Sequence, residues 1–386
     1  MKKSQLAGFF FLLFLSSCQP AATPEPDDNS LMQQAKTDQR AANTLAAKRL
    51  STNEITAAIH WFKQAASLGD HTALLHALQL QQRLEGKLAT AQWLAEFIAS
   101  NEIKLHAISE QQRHDLGFWL EDDNLPSVSP YISAKGCSVT IQPIASQLAG
   151  VKRWQQLSQQ WQQDTMLANL PVCFSALQLV DSTVLQCSEQ AEQRISCHYQ
   201  ALQPWVNTTT VSQVAVIAGR GKASFNNGII QLPENATLAL LRHEFFHLLG
   251  FIDEYKLALP SAEQVCLTDQ LYPNIVLNKE LTAYLDYWQL AAAEISLTKV
   301  DTCAAIGVQA YRIVDSISPM HFYESDMPAV YWLLAEKVLQ QPEKIMPVQY
   351  YFAYLARQKK QWILWRTYMR QAAELGYADA QQAINL

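Results

Sequence analysis

The sequence predicts an α+β protein in which a central domain with a mixed sheet lies between two α-helical segments. Residues 41–125 and 329–386 are rich in Ala, Leu and Gln and show no sustained strand-like alternation. Residues 130–328 contain short runs of β-branched and aromatic residues separated by Gly, Pro and Asn. Six cysteines lie between positions 137 and 303, which marks the middle of the chain as a separate unit.

The N-terminal residues have the order of a secretory signal, with a basic start, a short apolar run and small residues before a cysteine. Lys2 and Lys3 precede the apolar run, and Leu15-Ser-Ser-Cys18 follows it. This ending resembles the lipobox of bacterial lipoproteins, which implies a signal peptide over residues 1–17, lipidation of Cys18 and a membrane partner. Gln19 implies, by the same resemblance, the outer membrane of the cell envelope. An ordinary signal peptide with an incidental cysteine is the alternative.

Residues 18–40 are predicted to be a flexible tether, because Pro20 to Ser30 is rich in Pro and polar residues and lacks the apolar residues of a core. The whole chain carries a net charge of −6 and has no basic run. These features argue against a nucleic-acid partner.

The two helical segments contain similar stretches, Gln64-Ala-Ala-Ser-Leu-Gly-Asp-His-Thr-Ala73 and Gln371-Ala-Ala-Glu-Leu-Gly-Tyr-Ala-Asp-Ala380. In each, the glycine is expected to end one helix, and the small alanines allow a second helix to pack closely. The stretches resemble the helix pairs of Sel1-like repeats, relatives of tetratricopeptide repeats, which implies a protein partner for these segments. Independent Ala-rich helices are the alternative. One repeat cannot bury its own apolar face, so we expect the terminal helices to pack on each other or on the central domain.

Short runs of β-branched and apolar residues predict strands in the central domain, at 138–144, 172–180, 183–188, 194–200, 212–218 and 229–232. An amphipathic helix is predicted between the first two strands, with Val151, Trp154, Leu157 and Trp161 on one stripe. Residues 229–232 are predicted either as an edge strand that can pair with an extended peptide or as an ordinary interior or hairpin strand.

The cysteines after Cys18 are predicted to form disulfides, as expected for an oxidising compartment. They lie at positions 137, 173, 187, 197, 266 and 303. Their even number permits three disulfides but leaves many pairings open. We assign only Cys187–Cys197, from the hairpin expected between these two residues. Buried free thiols are the alternative.

The stretch His-Glu-Phe-Phe-His-Leu-Leu-Gly-Phe-Ile-Asp, which begins at His243, has the spacing of a catalytic zinc site. On a helix, His243 and His247 project from one face, so both imidazoles can bind one Zn²⁺. Glu244 lies beside the open coordination position, where it can act as general base on water. Gly250 is expected to end the helix in the left-handed conformation, which lets Asp253 return as third ligand. Histidines that merely face solvent or pack in the core are the alternative.

The pattern from His243 to Asp253 resembles the elongated zinc motif of the metzincin metallopeptidases, with Asp in place of the usual third His. Together with Glu254 and Tyr255, it is also similar to the motif of bacterial IgA-peptidase-type metallopeptidases. The resemblance implies a metzincin-like peptidase domain over residues 130–328, with a mixed sheet, an active-site helix and a zinc cofactor.

Metzincins also carry a tight turn with a methionine beneath the metal, and Ser318-Pro-Met-His-Phe-Tyr is similar to that turn. Met320 would be its methionine, and a core methionine is the alternative. Phe322 stands where some families place a tyrosine near the metal. Tyr255 or Tyr323 is therefore expected to donate a hydrogen bond to the oxyanion, whereas His321 is expected to have a surface or packing role.

The third ligand has alternatives to Asp253. In the gluzincin class it is a glutamate on a second helix, which here would be Glu280. That residue is further along the chain than this class usually shows, and Gly250 and Asp253 would lose their role. Glu254, or no third protein ligand, is the remaining alternative.

The expected function is zinc-dependent hydrolysis of a protein or peptide substrate by a metalloendopeptidase in the bacterial cell envelope. An amidase of cell-wall peptides would share the chemistry. The alternative from another class is a non-catalytic envelope lipoprotein with a structural zinc site and helical segments that bind a partner. Structural zinc sites are usually closed by four protein ligands, and this motif offers three, which favours catalysis.

Overall fold

The structure is a computed structural model that describes residues 28–101, 104–207, 210–267, 269–277 and 281–385. Residues up to Leu80 form one compact unit, and residues from Gln81 onward form a second. The predicted signal peptide, the predicted lipidation site Cys18 and the alternative ligand Glu280 lie outside the described residues.

The helices of the described chain are α1 (Asp28–Gln34), α2 (Gln39–Ser51), α3 (Ile55–Ser67), α4 (His71–Glu85), α5 (Lys87–Asn101), α6 (Glu110–Leu116), α7 (Leu148–Gln163), α8 (Ser182–Leu185), α9 (Gln203–Val206), α10 (Leu238–Leu248), α11 (Leu259–Cys266), α12 (Leu281–Trp288), α13 (Ala329–Leu339), α14 (Val348–Gln358), α15 (Trp362–Glu374) and α16 (Ala378–Ile384). The strands are β1 (Val139–Ala145), β2 (Val172–Phe174), β3 (Gln178–Leu179), β4 (Glu189–Arg194), β5 (Gln213–Ile217), β6 (Arg220–Lys222), β7 (Ser224–Asn226), β8 (Ile229–Leu232), β9 (Ile275–Val276), β10 (Thr298–Val300) and β11 (Ala310–Arg312). Helices and a mixed sheet are therefore both present, in agreement with the predicted α+β class.

The tether prediction is wrong for residues 28–40, which form α1 and the start of α2. Leu31 on α1 is buried, so this helix has an apolar face that the composition of the segment did not suggest. The carboxylate of Asp28 lies 2.5 Å from Lys48 Nζ and 3.4 Å from Arg49 Nη2 on α2. The charged residues that indicated a solvated tether thus join two helices of one unit.

Both similar alanine-rich stretches form a helix, a left-handed glycine and a second helix. Gly69, between α3 and α4, has φ +100°, and Gly376, between α15 and α16, has φ +97°. The equivalent glycines thus end equivalent helices, because glycine enters this region without the clash of a Cβ atom. The local conformation matches the expectation, and membership of the Sel1-like repeats stays a prediction.

The main sheet has the order β2-β1-β5-β8-β7, and β3 pairs with the end of β1. All pairs are parallel except β7 with β8, which is antiparallel. Residues 229–232 are thus an interior strand, and β7 is the edge. Asn226 pairs with Ile229, so β7 and β8 are joined by Asn227 and Gly228 alone, both with positive φ. Asn-Gly is the strongest short hairpin signal, and the strand assignment did not use it.

Three strand predictions need correction. Residues 172–180 form two strands, β2 and β3, which both pair with β1, and the Gln142 side chain donates to the carbonyl of Ala176 between them. Residues 183–188 overlap the short helix α8, in which the buried Ser182 and Leu185 have helical spacing and Val184 is exposed. Residues 194–200 begin at the last residue of β4 and run into a 3₁₀ turn. Short apolar runs do not distinguish such turns from strands.

The central strands are buried on both faces. On one face α7 packs with its predicted stripe, since Val151, Trp154, Leu157 and Trp161 are all buried in a cluster that also contains Phe174. On the other face Val348 and Phe352 of α14 pack against Val214, Val216 and Ile229. The prediction that the C-terminal helices pack on the central domain is confirmed for α14. The cluster on the α7 face also contains residues of α10, so the sheet supports that helix.

Three disulfides are present among the described residues, Cys137–Cys173, Cys187–Cys197 and Cys266–Cys303. The assigned pair Cys187–Cys197 is confirmed, but the hairpin on which it rested is wrong, because β4 is the one strand in the described segment between these cysteines and is flanked by α8 and a 3₁₀ turn. Disulfides indicate a protein outside the cytoplasm. No helix of the described residues is long and apolar enough to cross a membrane.

Candidate metal centre

Helix α10 presents two different faces. Its first turn is capped by the Thr237 hydroxyl, which accepts a hydrogen bond from the Leu240 N–H at 3.2 Å. Phe245 packs edge-to-face on Trp161 of α7, with ring centroids 5.1 Å apart, and Phe246 is buried in the same core. The core face therefore holds the helix in place. On the opposite face, three residues of α10 line a cavity, namely His243, Glu244 and His247.

Three ligand atoms converge at this face. His243 Nε2 and His247 Nε2 are 3.1 Å apart, and Asp253 Oδ1 lies 3.1 Å from His247 Nε2 and 3.4 Å from His243 Nε2. Tetrahedral zinc with ligand bonds of about 2.0–2.1 Å places ligand atoms about 3.3 Å apart. The three side chains thus form a cluster that can hold one metal ion.

Both imidazoles are oriented by backbone carbonyls. His243 Nδ1 lies 2.9 Å from the carbonyl oxygen of Pro319, and His247 Nδ1 lies 2.8 Å from that of Phe251. A carbonyl can only accept, so each Nδ1 carries the proton and donates it. When the imidazoles are neutral, each Nε2 then has a lone pair directed at the shared point, as metal-binding histidines require.

Asp253 reaches the cluster through a turn that begins at Gly250. Gly250 has φ +84°, and the Phe251 N–H donates to the Phe246 carbonyl at 3.1 Å, which closes the end of α10. The returning chain is fixed by Asn274, whose side chain accepts from the Ile252 N–H and donates to the Ile252 carbonyl, both at 2.8 Å. The chain returns to the metal-binding face because this turn reverses it immediately after the second histidine.

A substitution at Gly250 tests the requirement for this turn. A Cβ at Gly250 would lie 3.8 Å from Pro273, an ordinary contact, so Gly250→Ala adds only the strain of a left-handed alanine. We expect a loss of about 1–2 kcal/mol in the free energy of unfolding, measured by urea denaturation, together with weaker zinc binding. Gly307→Ala, with φ +72° and open space around it, is the matched control. It should lose similar stability and keep its zinc affinity; equal zinc affinity in both variants would contradict this role of Gly250.

Glu254 faces away from the ligand cluster and is fully buried. Its Oε1 accepts hydrogen bonds from Ser318 Oγ at 2.7 Å, Tyr331 OH at 2.6 Å and Asn274 Nδ2 at 3.3 Å. Burial raises the pKa of this carboxyl above its usual value. Glu254 therefore positions the loop that carries Asp253 and is not part of the candidate ligand cluster.

The turn around Met320 contacts both the helix and the loop. Its Pro319 carbonyl accepts from His243, and the Met320 carbonyl accepts from the Glu254 N–H at 2.9 Å. The Met320 side chain is fully buried in the main core cluster. The turn resembling the methionine turn is thus adjacent to the first histidine and holds the residue after Asp253.

The predicted oxyanion donors have different surroundings. Tyr255 lines the cavity beside the ligand cluster, and its hydroxyl hydrogen-bonds the Asp253 carboxylate. The Tyr323 ring centroid lies 6.5 Å from that of His243 and stacks on Phe322, and Tyr323 is not among the cavity-lining residues. His321 is exposed. Tyr255 is therefore the better placed of the two tyrosines.

Glu244 is buried, and its carboxylate accepts a hydrogen bond from the backbone N–H of Phe225 on β7. Its Oε2 has no hydrogen-bond partner among the described residues. Burial raises the pKa of Glu244 to about 7. One carboxylate oxygen is thus held by the edge strand, and the other is free to accept or donate a proton near neutral pH.

The cluster has strongly shifted acid–base properties. Burial, together with the charge of His247, lowers the pKa of His243 to about 4. Burial alone would lower the pKa of His247 too, but the Asp253 carboxylate outweighs it and raises that pKa to about 9. Burial raises the pKa of Asp253, but the ion pair with His247 outweighs this effect and lowers it. In the metal-free protein at neutral pH, His247 is therefore charged and His243 is neutral.

These shifts predict proton release on metal binding, because both imidazoles must be neutral to bind. At about pH 7.5, binding of zinc to the metal-free protein is expected to release about one proton from His247, so zinc affinity should rise with pH until the pKa of His247 is passed. The measurement is calorimetric titration with ZnCl₂ in two buffers of different ionisation enthalpy. The titration is carried out on the Glu244→Gln variant, because this substitution removes the other group with a pKa near neutrality. Identical heats in both buffers would contradict the assignment.

No protein-family model matches the chain, and no match is found among curated proteins. The function is therefore inferred from the side chains themselves. His243, Glu244, His247 and Asp253 were all singled out from the sequence, and the structure brings them together in one cavity of about 240 Å³. Phe225 and Arg194, which line the same cavity, were missed. The Asn-Gly turn was the signal for Phe225, and no local signal marked Arg194.

Proposed function

We propose that this protein is a zinc-dependent metalloendopeptidase, with His243, His247 and Asp253 as ligands and Glu244 as general base. The observation that carries the proposal is the convergence of three ligand atoms, 3.1–3.4 Å apart, beside a buried carboxylate in a cavity. The proposal agrees with the resemblance of this motif to the metzincin metallopeptidases.

The donor set fits zinc. Two imidazole nitrogens and one carboxylate oxygen are common zinc ligands, and their spacing suits a tetrahedron with one corner left open. Among the described residues, the cluster contains no fourth His, Cys, Asp or Glu that would close this corner. Zinc held there would act as a Lewis acid on a peptide carbonyl and on water. Three ligands with an open corner are the pattern of catalytic sites.

Glu244 has the position and the protonation range for the proton transfers of peptide hydrolysis. As a carboxylate it can take a proton from the attacking water through its unpaired Oε2. As a carboxylic acid it can return that proton to the leaving amine. A pKa raised toward neutrality by burial supports both roles, and the Phe225 N–H keeps the side chain in place during the exchange.

The edge strand β7 supports an extended peptide as substrate. It pairs with β8 on one side only; Glu244 occupies the Phe225 N–H, and the remaining backbone groups of the other edge can hydrogen-bond a substrate backbone. Ser224 and Phe225 of β7 line the cavity with the ligands. A second cavity of about 480 Å³ shares Phe225 and His247 with the first. This second space next to the ligand cluster supports cleavage inside a chain.

We also propose a bacterial envelope location, with a lipid on Cys18 and the outer membrane as the anchoring site. The disulfides support export. The lipid anchor and the outer membrane rest on the N-terminal sequence alone.

The proposed activity is tested with the purified protein on unfolded casein and on quenched peptide mixtures. Hydrolysis is expected with zinc, lost after treatment with 1,10-phenanthroline and restored by added ZnCl₂. If zinc removal unfolds the protein and no substrate is cleaved, the site is structural and the proposal is wrong.

A further inference from the structure

Arg194 is the only cationic side chain among the described residues that line the cavity beside the ligand cluster, apart from the histidines of the cluster. It stands at the end of β4, and its charge acts on both Glu244 and Tyr255. The residue itself is exposed, so the guanidinium is accessible from solvent. A group that enters this cavity therefore meets a positive charge next to the metal-binding face.

The position of Arg194 is fixed by its neighbours. The Cys187–Cys197 disulfide closes the segment that carries it, and the Ile195 N–H donates to the Lys222 carbonyl at 3.1 Å. Strand β6 approaches so closely that a Cβ at Gly221 would lie 2.5 Å from the Gln193 carbonyl oxygen. Such a backbone holds the Cα and Cβ atoms of Arg194 in place, so no backbone freedom of this segment has to be lost when a ligand binds.

Arg194 makes no ion pair with any carboxylate of the described residues, although its neighbour Lys222 lies 3.8 Å from Glu192. Buried arginines are normally paired, whereas an exposed arginine at the wall of a cavity can accept a partner from outside. The guanidinium is planar and matches a carboxylate with two parallel hydrogen bonds.

We infer that Arg194 selects substrates by binding a substrate carboxylate next to the scissile bond. This inference rests on the proposed peptidase function and adds the substrate class to it. The carboxylate comes either from a Glu or Asp side chain or from a free C-terminus. Arg194 is then a specificity residue that holds the peptide without taking part in the proton transfers.

The test measures binding to the zinc-loaded Glu244→Gln variant, which is expected to bind peptides without cleaving them. The probes are acetyl-pentaalanine amides with Glu at each position in turn, their Gln counterparts, and acetyl-pentaalanine with a free carboxylate. At least one acidic probe is expected to bind about tenfold more tightly than its neutral counterpart, measured by calorimetry. A preference for Glu identifies a side-chain carboxylate, and a preference for the free carboxylate identifies a C-terminus.

Adding Arg194→Ala should abolish that preference, while Arg194→Lys should retain part of it. Arg220→Ala is the matched control, because Arg220 is exposed on the paired strand β6 and does not line the cavity. A preference that survives Arg194→Ala would come from the metal and would overturn the inference, as would equal binding of acidic and neutral probes. Hydrolysis by the unmodified protein without any carboxylate preference overturns this inference alone. A preference that depends on Arg194, without hydrolysis, overturns the peptidase proposal alone.

Discussion

Glu244→Gln is expected to lower the rate of peptide hydrolysis by about 10²–10⁴-fold while zinc stays bound, because the amide cannot take a proton from water. The substitution keeps the shape of the side chain in a buried position, so the fold should be maintained. The measurement combines kcat/KM on a cleaved peptide with zinc content determined by mass spectrometry. Glu244→Ala should have the same consequence for activity, since it also removes the proton acceptor.

The matched control is Glu336→Gln, which changes the same chemical group on the exposed surface of α13. It should retain full activity and full zinc content. Full activity in Glu244→Gln on every substrate found would show that another group acts as the base. Loss of zinc in this variant would instead show that Glu244 holds the metal.

His243→Ala is expected to lose both zinc and activity, because two ligands remain where three are needed to hold the ion. Asp253→Asn should weaken zinc binding as well, since it removes the negative oxygen that faces both imidazoles at 3.1 and 3.4 Å. Zinc that binds only the folded state at 100 times its Kd adds about 2.7 kcal/mol to the free energy of unfolding. The measurement is thermal unfolding of each variant with and without ZnCl₂.

Stabilisation by zinc should be present in the unmodified protein and absent in His243→Ala. His321→Ala is the matched control, as this histidine is exposed on the neighbouring turn and is not part of the ligand cluster. It should bind zinc normally. Equal stabilisation of His243→Ala and His321→Ala by zinc would exclude the proposed ligand set.

Local spacing predicted the parts of the site that lie on one short stretch of chain. Residues four apart on a helix share a face, so His243 and His247 were expected to point together, and their Nε2 atoms are 3.1 Å apart. A glycine three residues later was expected to reverse the chain, and Gly250 has a left-handed φ. The stripe of α7 was predictable for the same reason, since helical periodicity is a local property.

The sheet was predicted less well, because strand pairing joins residues far apart in sequence. Residues 212–218 and 138–144 match β5 and β1 closely, since these strands are buried on both faces and read as apolar runs. The shorter runs at 183–188 and 194–200 were misassigned. Their buried apolar residues, among them Leu185, Cys187 and Ile195, enter one cluster from a short helix and a turn, and nothing in a short run distinguishes this from a strand.

The sequence by itself determined the candidate ligands and base, the compartment suggested by the cysteines, and the helical character of both terminal segments. These follow from side-chain chemistry and from spacing within one helix or turn. Only the tertiary structure decided that β7 is the edge strand, that its Phe225 N–H holds Glu244, and that Glu254 is buried away from the ligand cluster. It also brought Arg194 into the cavity. These features depend on contacts between distant segments, whose relative positions are set by packing of the whole core and leave no local pattern in the sequence.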